Sequence, residues 1–378
     1  MPTEQPDAGA TTEKILTSVH SANMGPMFGD LGISVFVTTY QAGRLVILER
    51  NDQGTINNHF CEFDRPMGLA IRGDRLAVGV DTQIIEFHDL PAVARTINPT
   101  GSFDAAFLPR LNYHTGDVQI HELAWLEGAS AVSEPDLIFV NTRFSCLCRR
   151  EMPYSFVPVW RPRFISAIAP EDRCHLNGLG IRDNRPRYVT ALGETDKKAG
   201  WRENKKDGGI LIDIEANEVL ARGLSMPHSP RWHNGRLWVL NSGFGSFGIV
   251  DATTGYFTEV ARLPGFTRGL DFYGNLAFIG LSQVRESATF SGIEIANRPV
   301  EERCCGVWVV DINTGNTVGM VKFGDALQEI FAVQVIQRRR AALVDKNHRI
   351  QADSFVLPDQ SLAEVAEPFR QGATERIS

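Results

Sequence analysis

Excess positive charge, long apolar runs and paired cysteine motifs are all missing from this chain of 378 residues. Lys and Arg number 38 against 45 Asp and Glu, a formal net charge of −7. General binding to nucleic acid or to an anionic membrane needs a basic surface, so that balance argues against both. No apolar run approaches the roughly 20 residues of a membrane-spanning helix. Residues 1–14 are polar and lack the basic start and apolar core of a secretory signal. The expected location is cytoplasmic, and residues 1–24 read as a mobile arm. None of the six cysteines sits in a CxxC spacing: Cys146 and Cys148 are two apart, and Cys304 and Cys305 are adjacent. All six are expected as reduced thiols, with Cys146 and Cys148 packing on one face of a strand. There is no HExxH metal motif, no Gly-x-Ser-x-Gly elbow and no WD40 signature. Gly243-Phe-Gly-Ser-Phe-Gly248 joins two strand-like runs and opens no helix, which rules out a nucleotide loop.

Amphipathic helical stretches are scarce as well. What fills the chain is short runs of Val, Ile, Leu, Phe and Trp separated by Gly, Asp and Asn, the pattern of many short strands. One unit recurs, an apolar run, a tight turn and a second apolar run. It is clearest at 67–80, 228–241 and 268–281, with looser copies starting at His121 and Asn177. Third strands end in Asp-x-x-Thr-Gly at Asp251 and Asp311, where Asp caps a turn and Gly takes a positive φ. From Met67 through His121, Asn177, His228 and Arg268 the spacings are 54, 56, 51 and 40 residues, about one four-stranded propeller blade each.

The run at 33–40 resembles the second strand of a blade, and 329–335 supplies the missing first strand. The fold class is therefore all-β, a six-bladed β-propeller closed by pairing of N- and C-terminal strands. Runs at 341–344 and 354–357 leave seven blades open. The domain spans residues 25–360, with a tail at 361–378.

In a propeller the innermost strand lines the axis, so residues just before it crowd one channel mouth. Those positions hold Met67, His121, Asn177, His228, Arg268 and Glu329, with His175 two residues before Asn177. The stretches 97–120, 194–208 and 283–303 fall on the same end by strand parity and suggest a walled pocket. Imidazoles converging from three blades suit a transition metal ion (Zn, Fe, Mn or Cu), so His121, His175 and His228 are the candidate ligands. Without a metal, the same histidines or Glu329 suit general acid–base chemistry. Arg268 would hold a carboxylate or phosphate, and Asn177 would help orient it. Lys197, Lys198, Arg202, Lys205 and Lys206, with Arg285, Arg298 and Arg303, add positive charge nearby. Each residue also has a plainer use: His121 and His228 suit a bridge between blades, Asn177 a turn, and Arg268 with Glu329 an ion pair.

The segments Asn141-Thr-Arg-Phe-Ser145, His175-Leu-Asn-Gly178, Met226-Pro-His-Ser-Pro-Arg231 with Leu240-Asn-Ser-Gly243, and Phe266-Thr-Arg-Gly-Leu270 resemble an uncharacterised bacterial family of conserved hypothetical proteins. The resemblance runs over roughly residues 34–336 and implies a propeller core without an activity. More distantly, the Gly-Leu-x-x-x-Gly-x-Leu-x-Val repeats look like gluconolactonase and strictosidine-synthase-like propellers, which use a metal or an acid–base group at the channel mouth. Histidines stand here where the gluconolactonases carry acidic and Asn calcium ligands, so calcium and lactonase activity do not transfer.

The expected function is a metal-dependent enzyme acting on a small, anionic molecule at the channel mouth. Hydrolase, lyase or isomerase, and oxidoreductase chemistry all remain open. The alternative is a non-catalytic propeller that recognises a peptide, glycan or partner protein. Propellers host both, so architecture does not arbitrate.

Overall fold

In the computed structural model, residues 17–127, 136–284, 291–344 and 349–367 are described. They form six antiparallel blades. The innermost strands are Leu69–Arg72, Ile120–Leu126, Leu176–Arg182, Pro227–His233, Phe266–Tyr273 and Ala332–Ile336. Counted along the chain, the first blade has second to fourth strands Ser34–Thr39, Arg44–Arg50 and Ile56–Glu62. Its inner strand, Ala332–Ile336, comes from the other end of the chain and pairs antiparallel with Ser34–Thr38. Ser34–Thr39 is thereby paired on both sides, to Ala332–Ile336 and to Arg44–Arg50.

The count of six stands. Ala341–Leu343 is a strand, but it pairs parallel with Ala105–Phe107 on the outer edge of the second blade and starts no new one. Residues 354–357 form no strand. Ser18–His20, inside the segment read as an arm, lies on the outer edge of the sixth blade against Val321–Phe323. No helix among the described residues is long and apolar enough to cross a membrane.

Each blade is packed between two neighbours, so the middle strands bury both faces. In Arg236–Asn241, Leu237 and Val239 pack with Tyr188 and Leu211 of the fourth blade. Trp238 and Leu240 pack with Leu270 and Ile279 of the sixth. This two-sided burial is why the runs are continuously apolar instead of alternating. Hairpin chemistry closes the outer turns. The Asp251 carboxylate accepts from the Thr253 and Thr254 amides at 2.9 and 2.7 Å. Gly255 follows at φ +73°, where a Cβ would collide with the Leu220 carbonyl.

The inner strands carry a feature absent from the repeat pattern. In four consecutive blades an extra residue interrupts the ladder near the mouth. His121 and Glu122 together oppose Val140, and Asn177 is the extra residue between the Leu176 and Gly178 pairs. Ser229 and Pro230 together oppose Val239, and Arg268 and Gly269 oppose Gly280. Such bulges re-aim side chains. Gly269 meets the cost of the last one with φ +81°, close against Val333 of the first blade.

Deeper along the axis, Arg231 reaches across the channel. Its guanidinium donates to the Glu122 carboxylate (2.5 Å), the Leu270 carbonyl (3.0 Å), the Leu179 carbonyl (3.1 Å) and the Pro230 carbonyl (3.0 Å). One side chain thus joins the third, fourth, fifth and sixth blades.

Candidate functional site at the channel mouth

A cavity of about 300 Å³ opens at the end where the inner strands begin. His121, His175, His228 and Arg268 all line it, so four of the six residues expected at the site converge there. Each imidazole is oriented through Nδ1. That atom of His121 meets the Gln119 carbonyl (3.1 Å) and the Thr142 hydroxyl (2.8 Å). That of His228 meets the Met226 carbonyl (2.8 Å) and the Ser242 hydroxyl (3.1 Å). In His175 it meets the Asp172 carboxylate at 2.9 Å, and Trp201 Nε1 donates to the same carboxylate. His175 reaches the cavity despite its shifted register because its backbone is left-handed, at φ +51°.

The electrostatics follow from burial. Desolvation drives the His121 pKa well below the ordinary histidine value, and the neighbouring His175 adds to the effect. Burial does the same to His228, reinforced by Arg268. Both rings are neutral at pH 7. Arg268 is 9% exposed, and its guanidinium lies on the Phe331 ring, 3.6 Å from the centroid. It forms no hydrogen bond or ion pair with any described residue, which leaves a buried fork of donors facing the cavity.

Two expected residues sit differently. Asn177 is buried with both ends of its amide occupied: Nδ2 donates to the Pro227 carbonyl (3.0 Å) and Oδ1 accepts from the Thr190 hydroxyl (2.6 Å). It fastens the fourth blade to the fifth and does not line the cavity. Glu329 lies behind the wall, where Oε2 accepts from the Gln41 amide (3.1 Å) and Oε1 is buried without a partner. It makes no ion pair with Arg268, although each feels the other's charge.

Among the described residues, no three His, Cys, Asp or Glu side chains stand grouped to hold a metal ion as they are placed. None of the six cysteines is in a disulfide, and Cys146 and Cys148 pack together as expected from a shared strand face.

The sequence of the whole ring is matched by one family profile, a domain of unknown function (DUF4915), over residues 22–344. The chain belongs to that family. No curated protein matches it. Among solved structures, the propeller is similar to a chain of a nidogen/laminin complex, at 9% identity and TM-score 0.51, covering 81% of this chain and 99% of that one. A Bacteroides caccae protein of unknown function is similar at 11% identity and TM-score 0.48, covering 80% and 98%. Virginiamycin B lyase from Staphylococcus aureus is similar at 13% identity and TM-score 0.38, covering 82% and 98%. The nidogen likeness shows the fold alone, so a function for this DUF4915 member has to come from the cavity.

The walls contain residues that sequence reasoning passed over. Tyr40, Trp201, Phe266 and Phe331 all line the cavity. Of the three stretches expected as mouth elaborations, 194–208 contributes Trp201 and Arg202. Val284, Ile293 and Ile295 from 283–303 pack behind Phe266 and Met226. The stretch 97–120 does not behave as expected. Its Ala105–His114 is the fourth strand of the second blade, and only Gln119 reaches the cavity. The expected positive field is also thinner. Arg303 uses its guanidinium on the Val284, Ala296 and Arg298 carbonyls. Arg285 lies outside the described residues.

Burial pushes the Glu329 carboxyl up to about 7, against the opposing pull of Arg268. Arg268 and Cys305 are the titratable neighbours that interact with it. Its ordinary value is 4.5, so from there to about 7 the native state holds a proton that the unfolded chain has released. The resulting stabilisation is complete below 4.5 and falls as pH rises through 7. Urea unfolding at pH 5 and pH 8 should show wild type losing on the order of 1–3 kcal/mol relative to Glu329→Gln across that range. A difference between the two proteins that ignores pH would contradict this assignment.

Proposed function

We propose that this protein is an enzyme that acts on a small anionic molecule at the mouth of its propeller channel. The observation that carries the reading is Arg268: a buried cation with unused donors, set among three imidazoles. An unpaired buried charge is costly, and a substrate anion would remove that cost. The neutral His121 and His228 rings, anchored through Nδ1, are suited to accept a proton at Nε2 from a group bound beside them. His175, oriented by Asp172, has the geometry of a base whose tautomer is set by a carboxylate. Glu329 and Asn177 act through other groups, Glu329 by balancing the charge on Arg268 and Asn177 by holding two blades in register.

A metal-dependent version of this reading is favoured by one observation. All three histidines are anchored through Nδ1 to an oxygen acceptor, the usual outer arrangement for a ligating Nε2. Zn, Fe, Mn or Cu held there would act as a Lewis acid on the bound anion.

The test incubates untagged protein with a mixed extract of small metabolites and follows it by mass spectrometry. An anionic species should be consumed, and Arg268→Gln should slow its consumption by about a hundredfold or more, as expected for loss of two charge-assisted hydrogen bonds. A species retained unchanged would establish the non-catalytic propeller instead. Metal analysis of the same protein decides the finer version. A stoichiometric transition metal that disappears in the His121→Ala, His228→Ala double variant would establish it, and its absence from active protein would dismiss it.

A further inference from the structure

The cavity walls say more about the anion than its charge. A continuous chain of ring contacts runs round one side. Tyr40 meets Phe331 (5.7 Å between centroids), Phe331 meets His121 (5.0 Å), His121 meets His175 (4.8 Å), and His175 meets Trp201 (4.5 Å). Phe266 meets His228 at 5.5 Å and packs in one cluster with Trp201. Among the described residues, no carboxylate lines the cavity, and its two amides are Gln41 and Gln119. A flat, polarisable body would meet ring faces and edges along these rings.

Charge narrows the class further. Among the described residues that line the cavity, Arg268 is the one buried cation. Arg65 lies at the exposed rim with Asp81 at 2.5 Å, and Arg202 is exposed, lying over the outer face of Trp201 at 4.3 Å. A dianionic phosphate ester seated on Arg268 would bring a second negative charge without a second buried partner. A carboxylate matches the single planar fork bidentately. The volume, about 300 Å³, lies at the small end for ligand sites.

Building on the anion-site reading above, we infer that the ligand is a small monocarboxylate with a flat aromatic or conjugated body. Its carboxylate lies on Arg268 and its body against the His121–His175–Trp201 wall. The experiment is calorimetric titration of the full chain with benzoate, cyclohexanecarboxylate, benzamide and phenyl phosphate. Benzoate should bind best. Benzamide, which keeps the ring and loses the charge, should bind at least about tenfold more weakly. Cyclohexanecarboxylate should fall behind by about threefold or more, and Trp201→Leu should erase that gap while leaving the discrimination against benzamide. Phenyl phosphate binding more tightly than benzoate, with loss of both in Arg268→Gln, would overturn the carboxylate assignment and leave the anion site standing. Equal affinity for benzamide and benzoate would overturn both. Far-UV circular dichroism and the unfolding midpoint of each variant identify any loss that is only misfolding.

Discussion

Arg231→Ala is expected to cost about 3–5 kcal/mol of stability, because it strips a buried carboxylate of its counter-ion. Glu122 is 7% exposed and forms an ion pair with Arg231 at 2.5 Å. The same substitution leaves the Leu179 and Leu270 carbonyls without their donor, in the fourth and sixth blades. Three inter-blade links are lost with one side chain. A double variant, Arg231→Met with Glu122→Leu, removes the stranded charge as well and should recover most of the loss. Urea unfolding of the three proteins reads both effects. A deficit below about 1 kcal/mol in the single variant would mean the pair contributes little to holding the blades together.

Glu122 also belongs to the cavity's electrostatics, since its charge reaches Arg268. The pin and the proposed anion site are thus linked. The Glu122 carboxylate held by Arg231 partly balances Arg268, and the proposed anion would add to that balance. That arrangement places a stability device and the proposed binding device on the same bulged strands. His121 lines the cavity, while the next residue, Glu122, meets Arg231.

The architecture was legible because each blade is nearly self-contained. Its apolar runs and its Asp-x-x-Thr-Gly turns are local signals, and their spacing counts the blades. His121, His228 and Arg268 were legible for a related reason: a polar residue just before an inner strand has few other places to point. The aromatic half of the cavity was not. Tyr40, Phe266 and Phe331 read as ordinary core residues, since a ring facing a ligand and a ring facing a neighbouring blade look the same in a sequence. Trp201 was hidden inside a basic stretch. Asn177 and Glu329 carried the expected residue types, but their partners are main-chain groups and a hydroxyl from elsewhere in the chain, which no sequence pattern reveals. The bulges did leave traces. Pro230 inside a strand and Gly269 after Arg268 are the residues a bulge requires, and they mark where the inner strands turn their side chains toward the cavity.

A stop placed after Phe331 should abolish cooperative folding, although it leaves five complete blades and the outer strands of the first. The truncation removes Ala332–Ile336, so Ser34–Thr39 loses a partner along its whole length and presents an open, apolar edge. Val333 disappears from the cluster that contains Val35, Phe278 and Val307, which joins the first and sixth blades. Arg340 is lost as well, and its guanidinium lies beside the fully buried Glu49 carboxylate, which the His59 imidazole also meets. Closure also forms the site. Phe331 carries the Arg268 guanidinium, and its amide donates to Thr38 of the first blade at 2.8 Å, so the cavity floor is completed only when the ring shuts. A stop after Val344 is the matched control. It keeps every one of these contacts and, among the described residues, removes mainly exposed ones such as Phe355 and Val356, at a cost of about 1–2 kcal/mol from the partly buried Ile350. Denaturant unfolding followed by tryptophan fluorescence separates the two. The shorter protein should unfold without a sharp transition or aggregate, and the longer one should keep a transition close to that of the full chain. A sharp, near-native transition in the shorter protein would mean that the five remaining blades hold together without closure. In that case the paired ends would be an ornament of the ring and not what holds Arg268, Phe331 and the histidines around one axis.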